Sequence, residues 1–183
     1  MKRPQRVAGF LRRNFRDCTP HVKAATYNMM VCPTLEYAST VWDPHEQQHI
    51  DALEAVQRRA ARYVRNNYRE REPGTVTNML RDLGWKNLEE RRRLGRLGML
   101  YKIKNDLVDI DKSKFFKPSD ERTRGDKIHQ EANFHSSLFH SFFPRTISDW
   151  NKLPFSVMSA PTYGMFMSQL GGHRSVPPPA PHP

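Results

Sequence analysis

The chain has 183 residues, enough for one ordinary domain or a domain with an appendage. It carries 30 Lys and Arg against 19 Asp and Glu, a net charge of +11, with 37% hydrophobic and 10% aromatic residues. That mixture excludes a wholly disordered chain, no apolar run approaches the ~20 residues that span a bilayer, and the two cysteines, Cys18 and Cys32, supply no disulfide framework.

The basic start Met1-Lys2-Arg3-Pro4 is followed by no apolar h-region, so a secretory signal is not expected. The spacing of Val7, Phe10, Leu11 and Phe15 predicts a first helix over about Pro4 to Phe15. Thr19-Pro20 is a helix start, Thr as N-cap and Pro at the first helical position. Pro33 ends that helix and begins another carrying Leu35, Tyr37, Ala38, Val41 and Trp42. Asp43-Pro44 repeats the start signal, and the helix after it, to about Val64, is the clearest in the chain. Its stripe of Ile50, Leu53, Val56, Ala60 and Val64 falls within an arc of about 120°. Arg58, Arg62 and Arg65 fall within about 60° of one another on the other side. Glu54 stands one turn before Arg58, the spacing of an ion pair.

Thr75 to Leu83 reads as a short helix closed by Gly84. Asn87 and Glu90 then open a longer helix with Leu94, Leu97, Leu100 and Tyr101 on its inner face. Arg91, Arg92, Arg96 and Lys102 point away from that face, as do Met99 and Ile103, so the second half is expected to be buried on two sides. Gly95 and Gly98 mark either close helix approach or a weak point. Residues 108–140 lack clear period, and a short strand pair there is the reading. A helix between Pro144 and Pro154 has Ile147, Trp150 and Leu153 inward, with Trp150 buried, and a last helix runs from Thr162 to Leu170. The tail from Gly171, with Pro177-Pro178-Pro179, reads as disordered or polyproline-like.

The charge is uneven. Residues 58–104 hold 14 basic and 5 acidic residues, and the flanking segments are nearly balanced. Lys2, Arg3, Arg6, Arg12, Arg13 and Arg16 form a smaller block before any acid. Concentrated basic charge favours a polyanionic partner, of which nucleic acid is the commonest; the alternative is a solvated surface. Tyr63, Tyr68 and Trp85 interleave with the arginines, as on surfaces that stack bases, or else belong to the core.

Other chemistry is weak. His45-Glu46-Gln47-Gln48-His49 matches the zinc-protease pattern but lies in a polar helix start with no third ligand, and reads as a chance match. Asp109 and Asp111 offer too few oxygens for a hard cation. Gly95-Arg96-Leu97-Gly98 has the GXXG spacing but falls within a helix. No catalytic constellation, metal or cofactor is expected.

Several long motifs resemble one family. They are Gly9-Phe10-Leu11-Arg12-Arg13-Asn14, the run from Leu35 to His45, the run from Leu53 to Arg62, Leu80-Arg81-Asp82-Leu83-Gly84-Trp85, Leu88 to Arg93, Arg122-Thr123-Arg124-Gly125, Ser141 to Ile147, and Trp150 to Pro154. In order and spacing they are similar to the C-terminal region of LINE-type (non-LTR) retrotransposon reverse transcriptases of the jockey-like group, over about residues 7–170. The resemblance implies the thumb and post-thumb region, without the endonuclease and without the palm, whose paired catalytic aspartates have no counterpart because no Asp-Asp pair occurs. The chain departs from the family's pattern at 126–140, at Gly164 and Met167, and through the tail.

The expected fold is mainly α, a bundle of about five or six helices. A basic, thumb-like domain would cover 1–107, a C-terminal extension 108–170, and the tail 171–183. The expected function is non-catalytic support of an RNA-directed DNA polymerase, without enzyme activity of its own, gripping an RNA or DNA template–primer duplex through its phosphates. Arg58, Arg62, Arg65, Arg91, Arg92 and Arg96 are the candidate contacts, with Arg12 and Arg13 as second choices. The missing palm is a second expected partner, a membrane is not, and the compartment is nucleus or cytoplasm. The alternatives are a helical protein-interaction module and a non-functional remnant of a retroelement.

Overall fold

The computed structural model describes residues 2–37, 39–40, 43–114, 117–118, 127–129 and 140–172. Ala38, Val41 and Trp42, Phe115-Phe116, the Arg122–Gly125 motif and the tail from 173 onward lie outside the described residues. The described chain is mainly helical. It divides into two compact units, Met1–Arg93 and Leu94–Pro183. The division between these units falls inside a helix, whereas the boundary expected from the sequence is at 107/108. The cause is the inner face of that helix, whose second half is built into the C-terminal core.

The first unit contains α1 (Lys2–Asn14), α2 (Pro20–Met30), α3 (Cys32–Glu36), α4 (Gln47–Arg65), α5 (Thr75–Asp82) and the start of α6 (Leu88–Lys104). Thr19 caps α2, its hydroxyl accepting the Val22 N–H at 3.5 Å, with Pro20 at the first helical position. The start of α4 is at Gln47 rather than Asp43-Pro44, with Glu46 at the N-cap position. Its expected apolar stripe is buried, and Leu53, Val56, Ala60 and Val64 pack with Leu11, Tyr27 and Leu35. Gly84 closes α5 at φ +65°: the Trp85 N–H reaches the Leu80 carbonyl at 2.8 Å and the Gly84 N–H reaches Arg81 at 3.0 Å. That left-handed residue is where the chain needs glycine.

Two side chains of α4 fix the entry to α6. Glu54 accepts the Glu89 N–H at 3.0 Å, and Gln57 donates to the Lys86 carbonyl at 2.9 Å. Glu54 is therefore a tertiary helix cap and not the partner of Arg58, because an orphan N–H at a buried helix start is the costlier group to leave unpaired.

The second unit holds the rest of α6, a single 3-10 turn at Lys112–Lys114, β1 (Lys117–Pro118), β2 (Ile128–His129), α7 (Phe142–Asn151), α8 (Phe155–Met158) and α9 (Tyr163–Gly172). The strands pair antiparallel, Lys117 opposite His129 and Pro118 opposite Ile128. Asn151 extends the backbone pairing, donating to the Ile128 carbonyl at 2.8 Å and accepting its N–H at 3.0 Å. Trp150 is fully buried, stacked on Phe166 at 5.5 Å between centroids. Phe166 in turn stacks on Tyr101 at 4.6 Å, and the Tyr101 hydroxyl donates to the Ala160 carbonyl at 2.7 Å.

The two glycines of α6 have different roles. A Cβ at Gly98 would stand 3.0 Å from the Tyr163 hydroxyl and 3.1 Å from the Met167 sulfur, so the ends of two α9 side chains pack tightly over this glycine. A Cβ at Gly95 would meet nothing within 4 Å. Gly95→Ala is expected to raise stability by about 0.5–1 kcal/mol through helix propensity. Gly98→Val is expected to lower it by about 1–3 kcal/mol through overpacking. Urea unfolding of both variants checks the pair; equal effects of one sign would be inconsistent with tight side-chain packing over Gly98.

Candidate nucleic-acid interface

The eight candidate arginines separate into distinct settings. Arg12 and Arg13 are exposed on α1 and line a cleft against α4, where Arg62 and Arg59 join them. The cleft is a cavity of about 430 Å3 whose floor is Ala8, Gly9, Leu11, Val56 and Ala60. Tyr63 and Tyr68 also line it, and no carboxylate does. Arg16 lies beside it, lining an adjoining cavity with Arg12 and Arg13.

Arg62 is held in place by its own loop, its guanidinium donating to the carbonyls of Asn67 at 3.2 Å and Glu70 at 2.7 Å. Arg59 donates to the Ala55 carbonyl at 3.1 Å. Neither bond neutralises charge, and among the described residues no carboxylate pairs with Arg12, Arg13, Arg16 or Arg59. Arg58 and Arg65, expected on the same face as Arg62, go elsewhere. Arg58 donates to the Asp51 carbonyl at 3.3 Å. Arg65 pairs with Asp82 at 3.2 Å, in a setting that includes Glu70 and Glu72.

The three arginines of α6, expected as phosphate contacts, lie in ion-paired or buried settings. Arg91 is half-buried and pairs with Glu36 at 2.7 Å, with the Cys32 sulfur 3.8 Å away. Burial pushes the Cys32 thiol up from its ordinary value. Arg92 is 2% exposed and donates to the Leu35 carbonyl at 3.1 Å. Arg96 is 3% exposed and pairs with Asp149 at 2.9 Å. A helix packed on several sides takes its long cationic side chains inward with their partners, so angular distance from the apolar stripe does not make them solvated.

The aromatic residues also sort themselves. Tyr63 is buried, with its hydroxyl 3.2 Å and 3.3 Å from the carbonyl oxygens of Leu11 and Phe15. Trp85 stacks on Tyr27 at 4.6 Å and belongs to the core. Tyr68 is exposed at the rim of the cleft, where its ring is available for stacking.

Arg16, Arg59 and Lys23 complete the basic surface, and helix-by-helix spacing did not select them. The available signal was Arg12 and Arg16 at i, i+4 on α1, and Arg59 beside Arg62 on α4. Their meeting depends on how α1 packs against α4, which periodicity within one helix does not encode.

The zinc-protease pattern gains no geometry. His45 precedes α4, and His49 pairs with Glu46 at 3.3 Å. Asp111 accepts from the N–H and hydroxyl of Ser113 at 3.1 Å and 2.6 Å, a turn-forming role. Among the described residues no group of three metal-ligating side chains converges, and no helix is long and apolar enough to cross a membrane. No family model matches the chain, and no curated protein or solved structure matches it either.

Proposed function

We propose that the first unit grips a nucleic-acid duplex through its phosphates, as the non-catalytic, thumb-like part of a LINE-type RNA-directed DNA polymerase. The observation that carries this reading is the α1–α4 cleft with its neighbouring cavity, lined by Arg12, Arg13, Arg16, Arg59 and Arg62 and by no carboxylate. Unneutralised guanidinium groups clustered on one concave surface attract a polyanion and release its counterions on binding. The ordered motifs shared with the retrotransposon family support the same assignment and name the ligand as template–primer. The palm that would carry the catalytic aspartates is then a partner, in nucleus or cytoplasm, and the chain incorporates no nucleotides by itself.

Binding is expected to be independent of sequence, because phosphate contacts position a protein without reading bases. If four of these arginines each meet a phosphate, the log–log salt dependence has a slope of about −3.6, from about −0.9 per contact. Converting Arg12, Arg13 and Arg59 together to Glu is expected to weaken binding to every duplex alike and to flatten the slope by about 1 for each phosphate no longer held. All three are exposed, so each change is expected to alter stability by no more than about 0.5 kcal/mol. Fluorescence anisotropy with unrelated duplexes over a salt series measures both quantities. A slope near zero in the parent, or unchanged affinity in the triple variant, would shift the assignment to a helical protein-interaction module.

A further inference from the structure

Lys23 is out of place for a lysine. It occupies the start of α2 and is only 5% exposed. Its ammonium stands 5.3 Å from the centroid of the Tyr63 ring. Among the described residues that ammonium has neither a hydrogen bond nor an ion pair. Lysines are seldom buried to this degree; here the stem is packed and the ammonium reaches a cavity in which no carboxylate meets it.

The side chain lines a cavity of about 560 Å3 together with Arg12, Arg13, Arg16, Tyr63, Asn66 and Tyr68. That volume lies within the range of about 300–1,000 Å3 typical of small-ligand pockets. Four cationic side chains line it and no carboxylate does. The Tyr63 hydroxyl is committed to backbone carbonyls, so the donors open to a ligand are the cations, Asn66 and the Tyr68 hydroxyl. Four converging cations with no carboxylate among them suit an anion of more than one charge.

An internal phosphodiester carries one charge and is satisfied by one or two cations. A phosphomonoester carries about −1.5 to −2 at pH 7 and presents three strong acceptor oxygens. We infer that this cavity binds a phosphomonoester, with Lys23 as its deep contact, the three arginines around it and the exposed Tyr68 ring beside the attached group. The inference rests on the nucleic-acid reading of the neighbouring cleft and narrows it: the unit holds a phosphorylated strand end as well as internal phosphates. A free phosphate compound offers the same chemistry, and the experiment separates the two sources.

The test compares duplexes of one sequence carrying 5′-phosphate or 5′-hydroxyl ends, using the parent chain, Lys23→Met and Arg16→Gln. Inorganic phosphate and a nucleoside 5′-monophosphate are added separately in thermal unfolding. The parent is expected to prefer the phosphorylated duplex about tenfold or more, the factor expected for one charge-assisted contact. Both variants are expected to lose that preference, read within each variant as the ratio of its affinities for the two duplexes. Lys23→Met is expected to fold, because methionine keeps an extended apolar side chain where the lysine stem packs; Arg16→Gln changes an exposed residue and checks the result independently. A thermal midpoint raised by phosphate or the monophosphate in the parent and not in Lys23→Met, without any end preference, assigns the pocket to a free phosphate compound. No end preference together with no such thermal shift overturns the inference and leaves duplex binding standing. A phosphate-dependent shift with no duplex binding sinks the duplex-gripping reading and leaves the pocket.

Discussion

Replacing Trp150 with alanine is expected to destabilise the C-terminal unit by about 3–5 kcal/mol. The side chain is 0% exposed and lies between Ile147 and Leu153, both buried with it. Its ring stacks on Phe166, which stacks on Tyr101, so three aromatic residues from α6, α7 and α9 form one continuous pile. Lys104 covers the tryptophan from another side, its ammonium 5.4 Å from the ring centroid. Removing a ring from such a pile costs its transfer energy and leaves a cavity that the neighbouring rings cannot close by rotamer changes. A loss this large consumes a substantial part of the ~5–15 kcal/mol that holds an ordinary domain folded. Urea unfolding followed by far-UV circular dichroism reads the effect, and a midpoint equal to the parent's would refute the packing argument. Trp150→Phe, which keeps an aromatic face for Phe166, is expected to lose clearly less.

Much of this fold is legible in the sequence where a local rule and a buried contact agree. Thr19-Pro20 starts α2, Gly84 ends α5, and the stripe from Ile50 to Val64 faces the core, because capping, handedness and helical period are properties of a few neighbouring residues. The polar side of each helix is less legible. Glu54 stands four residues from Arg58, a spacing suited to a helical ion pair, yet it caps α6 by accepting from a residue 35 positions away in sequence. Arg92 and Arg96 project away from one apolar stripe but into other buried surroundings. The candidate site follows the same division. Counting charge located the basic segment, while the grouping of Arg12, Arg13 and Arg16 with Arg59 and Arg62 depends on two helices brought together by tertiary packing.

Arg96 and Asp149 are expected to respond very unequally to mutation. The guanidinium is 3% exposed and the carboxylate 21%, at 2.9 Å. Burial, reinforced by the neighbouring Arg145, pushes the Arg96 pKa down to about 10, against the opposing pull of Asp149. The favourable pairing is thus smaller than the cost of desolvating the cation. Since the folded pKa lies below that of the unfolded chain, the cost is present in full at neutral pH and is relieved as pH rises above about 10. Asp149→Ala removes the carboxylate that offsets this cost and leaves a buried positive charge beside Arg145. The expected loss is about 2–3 kcal/mol, below the ~3–5 of a fully buried pair because Asp149 retains some water. Arg96→Met removes the costly ion and keeps the extended side chain, leaving Asp149 to solvent and its other contacts; the expected change is within about 1 kcal/mol. Combining the two should recover most of what Asp149→Ala loses. The three unfolding free energies, with the parent's, form a double-mutant cycle. Equal losses in the two single variants would mean that the pair stabilises the fold outright, and that burial does not dominate the energetics of Arg96.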